Sequence, residues 1–218
     1  MDNDTLNSTT ASYDRVAGEY AAQFFGELAH KPLDRALLDA FAEEVRGIGP
    51  VADIGCGPGQ VANYLADRGV DARGIDLSPE MVARAQQLSP AIPFSVGSML
   101  ALDLPDTSLG GITAFYSIIH IPPAHVPQAL AEFHRVLRPG GLLLLAFHVG
   151  DEVIHREEWW DQPVALDFQF YQPDMLAHEL ESAGFTVEMR MIRAPYVPHE
   201  HPSQRGYLLA RKPRTTET

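Results

Sequence analysis

Apolar residues recur at three-and-four spacing from Ser12 to Phe25 and from Pro32 to Val45, which predicts two amphipathic helices ahead of any sheet. The residues before them, 1 to about 10, are polar and read as a frayed start. The pattern then changes period. Val51 to Ile54 is a short apolar run that ends in glycines, as expected of a buried strand turning into a helix over Gln60 to Asp67. Gly69 stands where that helix should stop. Ala72 to Ile75 reads as a strand, and Ser78-Pro79 opens the next helix with a serine cap and a proline in its first turn.

The alternation persists to the end of the chain. Strands are expected at Ile92 to Val96, Ile112 to Tyr116 and Leu142 to Phe147, with a helix over Ala124 to Leu137 stopped by Arg138-Pro139-Gly140-Gly141. The fully apolar run at Leu142 suits the centre of a sheet covered on both faces. A helix over Asp174 to Ala183 precedes two last strands, Phe185 to Ile192 and Gly206 to Arg211. Strands alternating with helices indicate an α/β fold with a doubly wound sheet.

Bulk properties narrow the partners. The 218 residues fit one domain, and 45% hydrophobic with 21% charged residues is ordinary for a soluble globular chain. A net charge of −13, with no basic cluster to offset it, disfavours nucleic acid and anionic membrane surfaces. The single cysteine, Cys56, excludes an internal disulfide and a cysteine cage for a metal, and no metal site is expected. With no secretory signal and no long apolar run, the expected location is the cytoplasm.

The chemistry concentrates in Val51-Ala-Asp-Ile-Gly-Cys-Gly-Pro-Gly59. Gly55, Gly57 and Gly59 lie between a strand and a helix, where a missing Cβ lets backbone approach a ligand. Asp76 follows at the end of the next strand, placed to accept both hydroxyls of a ribose. The spacing is G-x-G-x-G, and Asp53 precedes the first glycine by two residues. A diphosphate is repelled by that carboxylate, whereas the ammonium of a methionine moiety is attracted to it. S-adenosylmethionine is therefore favoured over NAD.

On these residues the chain resembles the class I S-adenosylmethionine-dependent methyltransferases, in particular the small-molecule branch called methyltransferase type 11, most closely over residues 50 to 150. The resemblance implies a Rossmann-like, seven-stranded, mostly parallel sheet whose last strand is an antiparallel insertion. It divides the single domain into an N-terminal helical lid (1–47), a cofactor-binding core (48–150) and a substrate-covering segment with the final strands (151–218). Asp53, Gly55, Cys56, Gly57 and Gly59 match the motif that holds the methionine end. Asp76 matches the ribose-binding acid, with Leu77 and Met81 flanking the adenine and Gly97, Ser98 and Met99 beside its amino group. The segment from Phe115 to His120 matches the strand end beneath the methyl group, which brings in Tyr116 and Ser117. Tyr13 and Tyr20 match the lid helix. Three departures stand out: Ser98 replaces the usual Asp, the Asp/Asn-Pro-Pro-Phe/Tyr tetrapeptide of amide and nucleobase methylation is missing, and a lone thiol argues against arsenite methylation.

Methyl transfer to a hydroxyl or amine needs a proton removed, and an imidazole suits that task. His120 and His148, both at the C-terminal rim of the expected sheet, are the catalytic candidates and also candidate substrate contacts; His120 alternatively only caps the turn into Ile121-Pro122. His125, His134 and His178 read as solvated groups, and His199 and His201 as loop residues. Tyr20, Trp159, Trp160 and Tyr171 are expected to shape a pocket for a flat or lipophilic acceptor. Arg156 pairs either with an acidic acceptor or with Glu157 or Glu158. The expected protein is a methyltransferase for an O or N atom of a small metabolite, a monomer or homodimer. A cofactor-binding protein without turnover and a nicotinamide-dependent oxidoreductase are the alternatives.

Overall fold

The computed structural model describes residue 1 and residues 3–214. Helix α1 (Asn3–Phe24) and helix α2 (Pro32–Glu44) come first, followed by β1 (Val51–Ile54), α3 (Gln60–Ala66), β2 (Ala72–Asp76), α4 (Pro79–Leu88) and β3 (Phe94–Val96). Then come β4 (Leu109–Phe115), α5 (Val126–Val136), β5 (Leu137–His148), β6 (Val153–Trp159), β7 (Gln162–Gln169), α6 (Pro173–Ser182), β8 (Thr186–Arg193) and β9 (Arg205–Arg211).

Seven strands form one sheet in the order β3-β2-β1-β4-β5-β9-β8. Strands β1 to β5 pair in parallel; β9 runs antiparallel between β5 and β8. The winding reverses between β1 and β4, and the C-terminal ends of those two strands are where a doubly wound sheet opens a crevice. The sheet is the expected Rossmann-like one.

Period-two packing builds it. In β5, Leu143, Leu145 and Phe147 pack with α5 and α6 residues such as Phe133 and Leu176, while Leu142 and Leu144 point into the opposite cluster with Leu38 and Phe41 of α2. Both faces of the strand are therefore dry, which is why its sequence is continuously apolar. At the start of α4, the Ser78 hydroxyl accepts from the Met81 amide at 3.1 Å and Pro79 takes the first helical position, as the Ser-Pro pair predicts.

Two features differ from expectation. The polar residues before Ser12 are not frayed: α1 starts at Asn3, because Met1 and Leu6 pack against the core and the chain-terminal ammonium donates to His125 Nδ1 at 2.7 Å. Strand β5 also begins earlier than its apolar run, at Leu137, with a register shift where Gly110 and Gly141 pass. The segment expected to cover substrate is a separate two-stranded hairpin, β6–β7, whose Val164 and Leu166 pack on Val16 of α1. No helix among the described residues is long and apolar enough to cross a membrane.

Candidate functional site

Two adjoining clefts open on the C-terminal rim of the sheet, the first at the ends of β1, β2 and β4 and the second at those of β4 and β5. Their shared wall consists of Tyr13 and Tyr20 from α1, Gln60 from α3, and Phe115 and Tyr116 from β4 and just beyond.

The glycine loop forms the floor of the first cleft. Gly55, Gly57 and Gly59 all take positive φ (71°, 53° and 88°), which L side chains adopt only under strain. Gly55 is also sterically confined. A Cβ there would lie 2.2 Å from the Ser117 Cβ, and Ser117 is fixed by donating its hydroxyl to the Ile54 carbonyl at 2.7 Å. Asp76 ends β2 with its oxygens accepting from the Gly57 amide (2.7 Å) and the Ser78 amide (2.9 Å), so one carboxylate ties the loop to the neighbouring strand end. Each oxygen keeps a lone pair for a donor in the cleft.

Asp53 lies beneath this loop, 2% exposed. Its Oδ1 accepts from the Thr113 hydroxyl at 2.8 Å, and its Oδ2 has no hydrogen-bond partner. Burial outweighs the Thr113 bond and pushes its pKa up to about 7. An orphaned carboxylate oxygen is costly unless a donor arrives, and a cation is the donor that also keeps it ionised. Gln60 Oε1 is a second buried acceptor without a partner. The donor set wanted here is that of an ammonium, which fits the methionine end of S-adenosylmethionine.

Cys56, Leu77, Met81, Gly97, Ser98 and Met99 line the rest of the first cleft. Burial raises the Cys56 thiol pKa, so Cys56 serves as an apolar wall. Gly59 is not a lining residue: it caps α3, and a Cβ on it would meet the Phe94 ring at 2.8 Å.

His120 sits between this cleft and a polar groove lined by His155 and Asp167. Its Nδ1 is 3.0 Å from the Asp167 carbonyl oxygen and its Nε2 is 2.6 Å from the Tyr13 hydroxyl. A carbonyl only accepts, so Nδ1 carries the hydrogen; in the neutral ring Nε2 then accepts from Tyr13. Burial lowers the His120 pKa to about 4, against a small upward pull from the Asp167 carbonyl. The ring is thus neutral, with its basic nitrogen facing the tyrosine.

The second cleft is aromatic and charged. Trp159 lines it from the hairpin with Phe168, and Trp160 stacks on Trp159 with centroids 4.6 Å apart. His148 lines it too, stacked on Phe170 at 4.9 Å, with a pKa lowered to about 3 by burial and then by Arg205. Ser203 Oγ accepts from Arg205 at 2.6 Å and lies 2.8 Å from His148 Nδ1.

Tyr171 is not brought to either cleft. It is 1% exposed in the main core, its hydroxyl donating to the Ile121 carbonyl, where it holds the turn after His120. In the other direction, His199 and His201, expected in a loop, line the second cleft. Sequence reasoning also passed over Lys31, Glu200, Arg205 and, behind them, Asp34, Arg193 and Tyr207. Arg193 grips both Glu200 oxygens (2.6 and 2.8 Å) and Asp34 Oδ2 (2.7 Å), and Tyr207 donates to Asp34 Oδ1 at 2.9 Å. These residues come from α2 and the residue before it, from β8 and β9, and from the loop between the last two strands, so no local spacing announces them. Among the described residues no group of three His, Cys, Asp or Glu is arranged to hold a metal ion.

Residues 51–141 match the family model of a methyltransferase domain. Malonyl-[acyl-carrier protein] O-methyltransferase of Serratia marcescens is 29% identical over 168 residues, 73% of this chain and 61% of that protein. An uncharacterized methyltransferase of Synechocystis sp. is 30% identical over 156 residues, 66% of this chain and 70% of that one. The chain spans between 37% and 70% of the length of the first three curated relatives it matches. Among solved structures, the DhpI–SAH complex superimposes with a TM-score of 0.77 at 20% identity, covering 99% of this chain and 100% of that one.

Proposed function

This chain belongs to the class I S-adenosylmethionine-dependent methyltransferases, and from that premise we propose that it methylates an oxygen or nitrogen of a small, flat or lipophilic acceptor. The observation that carries the proposal is the shared wall. A cleft with Asp76 on its wall, and with the unpartnered Asp53 carboxylate buried beneath its glycine floor, meets an aromatic cleft across Tyr13, Tyr20 and Tyr116. The bound cofactor supplies a methyl group on a sulfonium, an already activated leaving group. The work left to the protein is alignment, exclusion of water and removal of one proton.

The residues divide that work. Asp53 Oδ2 holds the cationic end of the cofactor, Asp76 its ribose hydroxyls, and Leu77, Met81 and Met99 an apolar slot for the base. Trp159, Phe168 and Tyr20 close over the acceptor. The acceptor proton passes to the Tyr13 oxygen as the Tyr13 proton moves to His120 Nε2, and the Asp167 carbonyl keeps the imidazole oriented. With a pKa of about 4, His120 holds that proton only in transit and returns it through Tyr13 to solvent once the product has left.

The test is calorimetric titration with S-adenosylmethionine, S-adenosylhomocysteine and NADH, followed by an assay for S-adenosylhomocysteine formation across a panel of phenols, amines and acids. Binding of both sulfur nucleosides but not NADH, with turnover of at least one acceptor, is expected. Binding without turnover would leave a cofactor-binding protein, and binding of NADH alone would overturn the reading of Asp53.

A further inference from the structure

We propose that the acceptor is an anion, held by its acidic group in the second cleft, whose lining carries Lys31 and Arg205 beside Tyr116 and Arg156 over Trp159; this rests on the second cleft being the acceptor site. Three cations and two carboxylates line that cleft, in a protein whose net charge is −13. The carboxylates are already engaged. Glu200 takes Arg193 on both oxygens and the Tyr196 amide at 2.7 Å, and Glu27 takes Lys31 at 2.6 Å and Gln60 at 3.3 Å.

The cations are not fully engaged. Lys31, 5% exposed, makes one hydrogen bond with its three N–H groups, its other contact being Glu200 Oε1 at 3.5 Å. Arg205, 3% exposed, turns its terminal nitrogens to Ser203 and to the His201 carbonyl, while its Nε is 3.8 Å from Glu200, too far for a hydrogen bond. Arg156 forms no ion pair among the described residues; it lies over the Trp159 ring at 5.0 Å and faces the cleft rather than Glu157 or Glu158. Donors therefore exceed acceptors in this cleft, inside walls of low polarity where an unmet donor is costly. Lys31 and Arg205 also sit 5.2 and 5.6 Å from the Tyr116 ring, so positive charge begins at the wall shared with the cofactor cleft. Arg205 also helps lower the pKa of His148 and His201, as a positive local potential requires. A carboxylate or phosphate on an aromatic body satisfies the donors and the rings together.

The experiment is calorimetry on the full chain saturated with S-adenosylhomocysteine, using benzoate, 4-hydroxybenzoate, 3-(4-hydroxyphenyl)propanoate and phenyl phosphate against the methyl esters of the three acids. At least one acid should bind about tenfold or more tightly than its neutral ester. Arg156→Gln, at a half-exposed position, should remove about a tenfold share of that preference while S-adenosylhomocysteine affinity stays unchanged. Phenyl phosphate binding best would identify a phosphate, and a carboxylate binding best an acid. Equal binding of acid and ester, no binding of any anion while S-adenosylhomocysteine binds, or an unaltered preference in Arg156→Gln would each overturn the proposal. Failure of S-adenosylhomocysteine itself to bind would overturn the cofactor reading instead.

Discussion

The Tyr13 hydroxyl lies 2.6 Å from His120 Nε2, across 107 residues of sequence, and this contact joins α1 to the turn that follows β4. It makes the histidine's basic nitrogen reachable only through the tyrosine. Tyr13→Phe should therefore lower turnover about 10² -fold while S-adenosylhomocysteine affinity changes by less than about threefold. His120→Gln should match it, and the double variant should be no worse than either single one. Steady-state kinetics beside calorimetry checks this; additive losses would show two independent roles.

Asp53 gives cofactor binding a pH dependence of definite sign. Its carboxyl is raised from 3.8 to about 7 in the folded protein, so its proton stabilises the fold fully below about pH 4, and that contribution is lost as pH rises through 7. Cofactor binding needs the opposite form, the carboxylate. Affinity for S-adenosylhomocysteine should fall by up to about tenfold per pH unit below 7 and level off above it. Asp53→Asn should bind weakly with a flat profile, as read by titration from pH 5.5 to 8.5.

Asp76→Ala should weaken cofactor binding by about 1.5–3 kcal/mol, through the ribose hydrogen bonds and the loosened Gly57 amide. Unchanged affinity would remove Asp76 from the site.

Two glycines separate steric from conformational cost. Gly55→Ala forces a Cβ against Ser117 and should cost about 3 kcal/mol or more. Gly69→Ala, with positive φ but nothing within 4 Å, should cost only about 1 kcal/mol. Denaturant midpoints of the two variants provide the comparison.

Behind the second cleft, Arg193→Met leaves Asp34 and Glu200, both with side chains 1% exposed, without the guanidinium they share. A loss of about 3–5 kcal/mol is expected on urea unfolding. Arg193→Lys should recover only part of it, because an ammonium cannot bond both carboxylates in one plane.

The sheet and the first cleft were legible because their signals are local. The Leu142 to Phe147 run, the Ser78-Pro79 cap and the glycine loop each declare a geometry within ten residues, and Asp76 follows at the distance one β-α-β unit imposes. The second cleft was legible only in its aromatics. Lys31, Arg193, Glu200 and Arg205 come from elements far apart in sequence, and each alone looks like an ordinary surface charge. Tyr171 misled for the converse reason: an aromatic beside others after β5 looks like a pocket residue, yet beyond the end of β7 its ring packs into the main core and its hydroxyl bonds the Ile121 carbonyl. The helical start at Asn3 was hidden because its two apolar anchors, Met1 and Leu6, show no full helical period.

Ser12, Tyr13 and Asp14 are consecutive in α1, so their side chains leave the helix about 100° apart. They reach three different places. Ser12 Oγ accepts from the Ala165 amide of the hairpin at 2.9 Å, Tyr13 meets His120, and Asp14 Oδ1 accepts from the Ser78 hydroxyl at 2.5 Å and the Glu80 amide at 3.2 Å, at the head of α4. One turn of helix thus ties together the β6–β7 hairpin, the turn that carries His120 and the head of α4. While that turn stays docked, none of the three can shift without straining the other two, so a displacement that begins at the hairpin is felt at the head of α4.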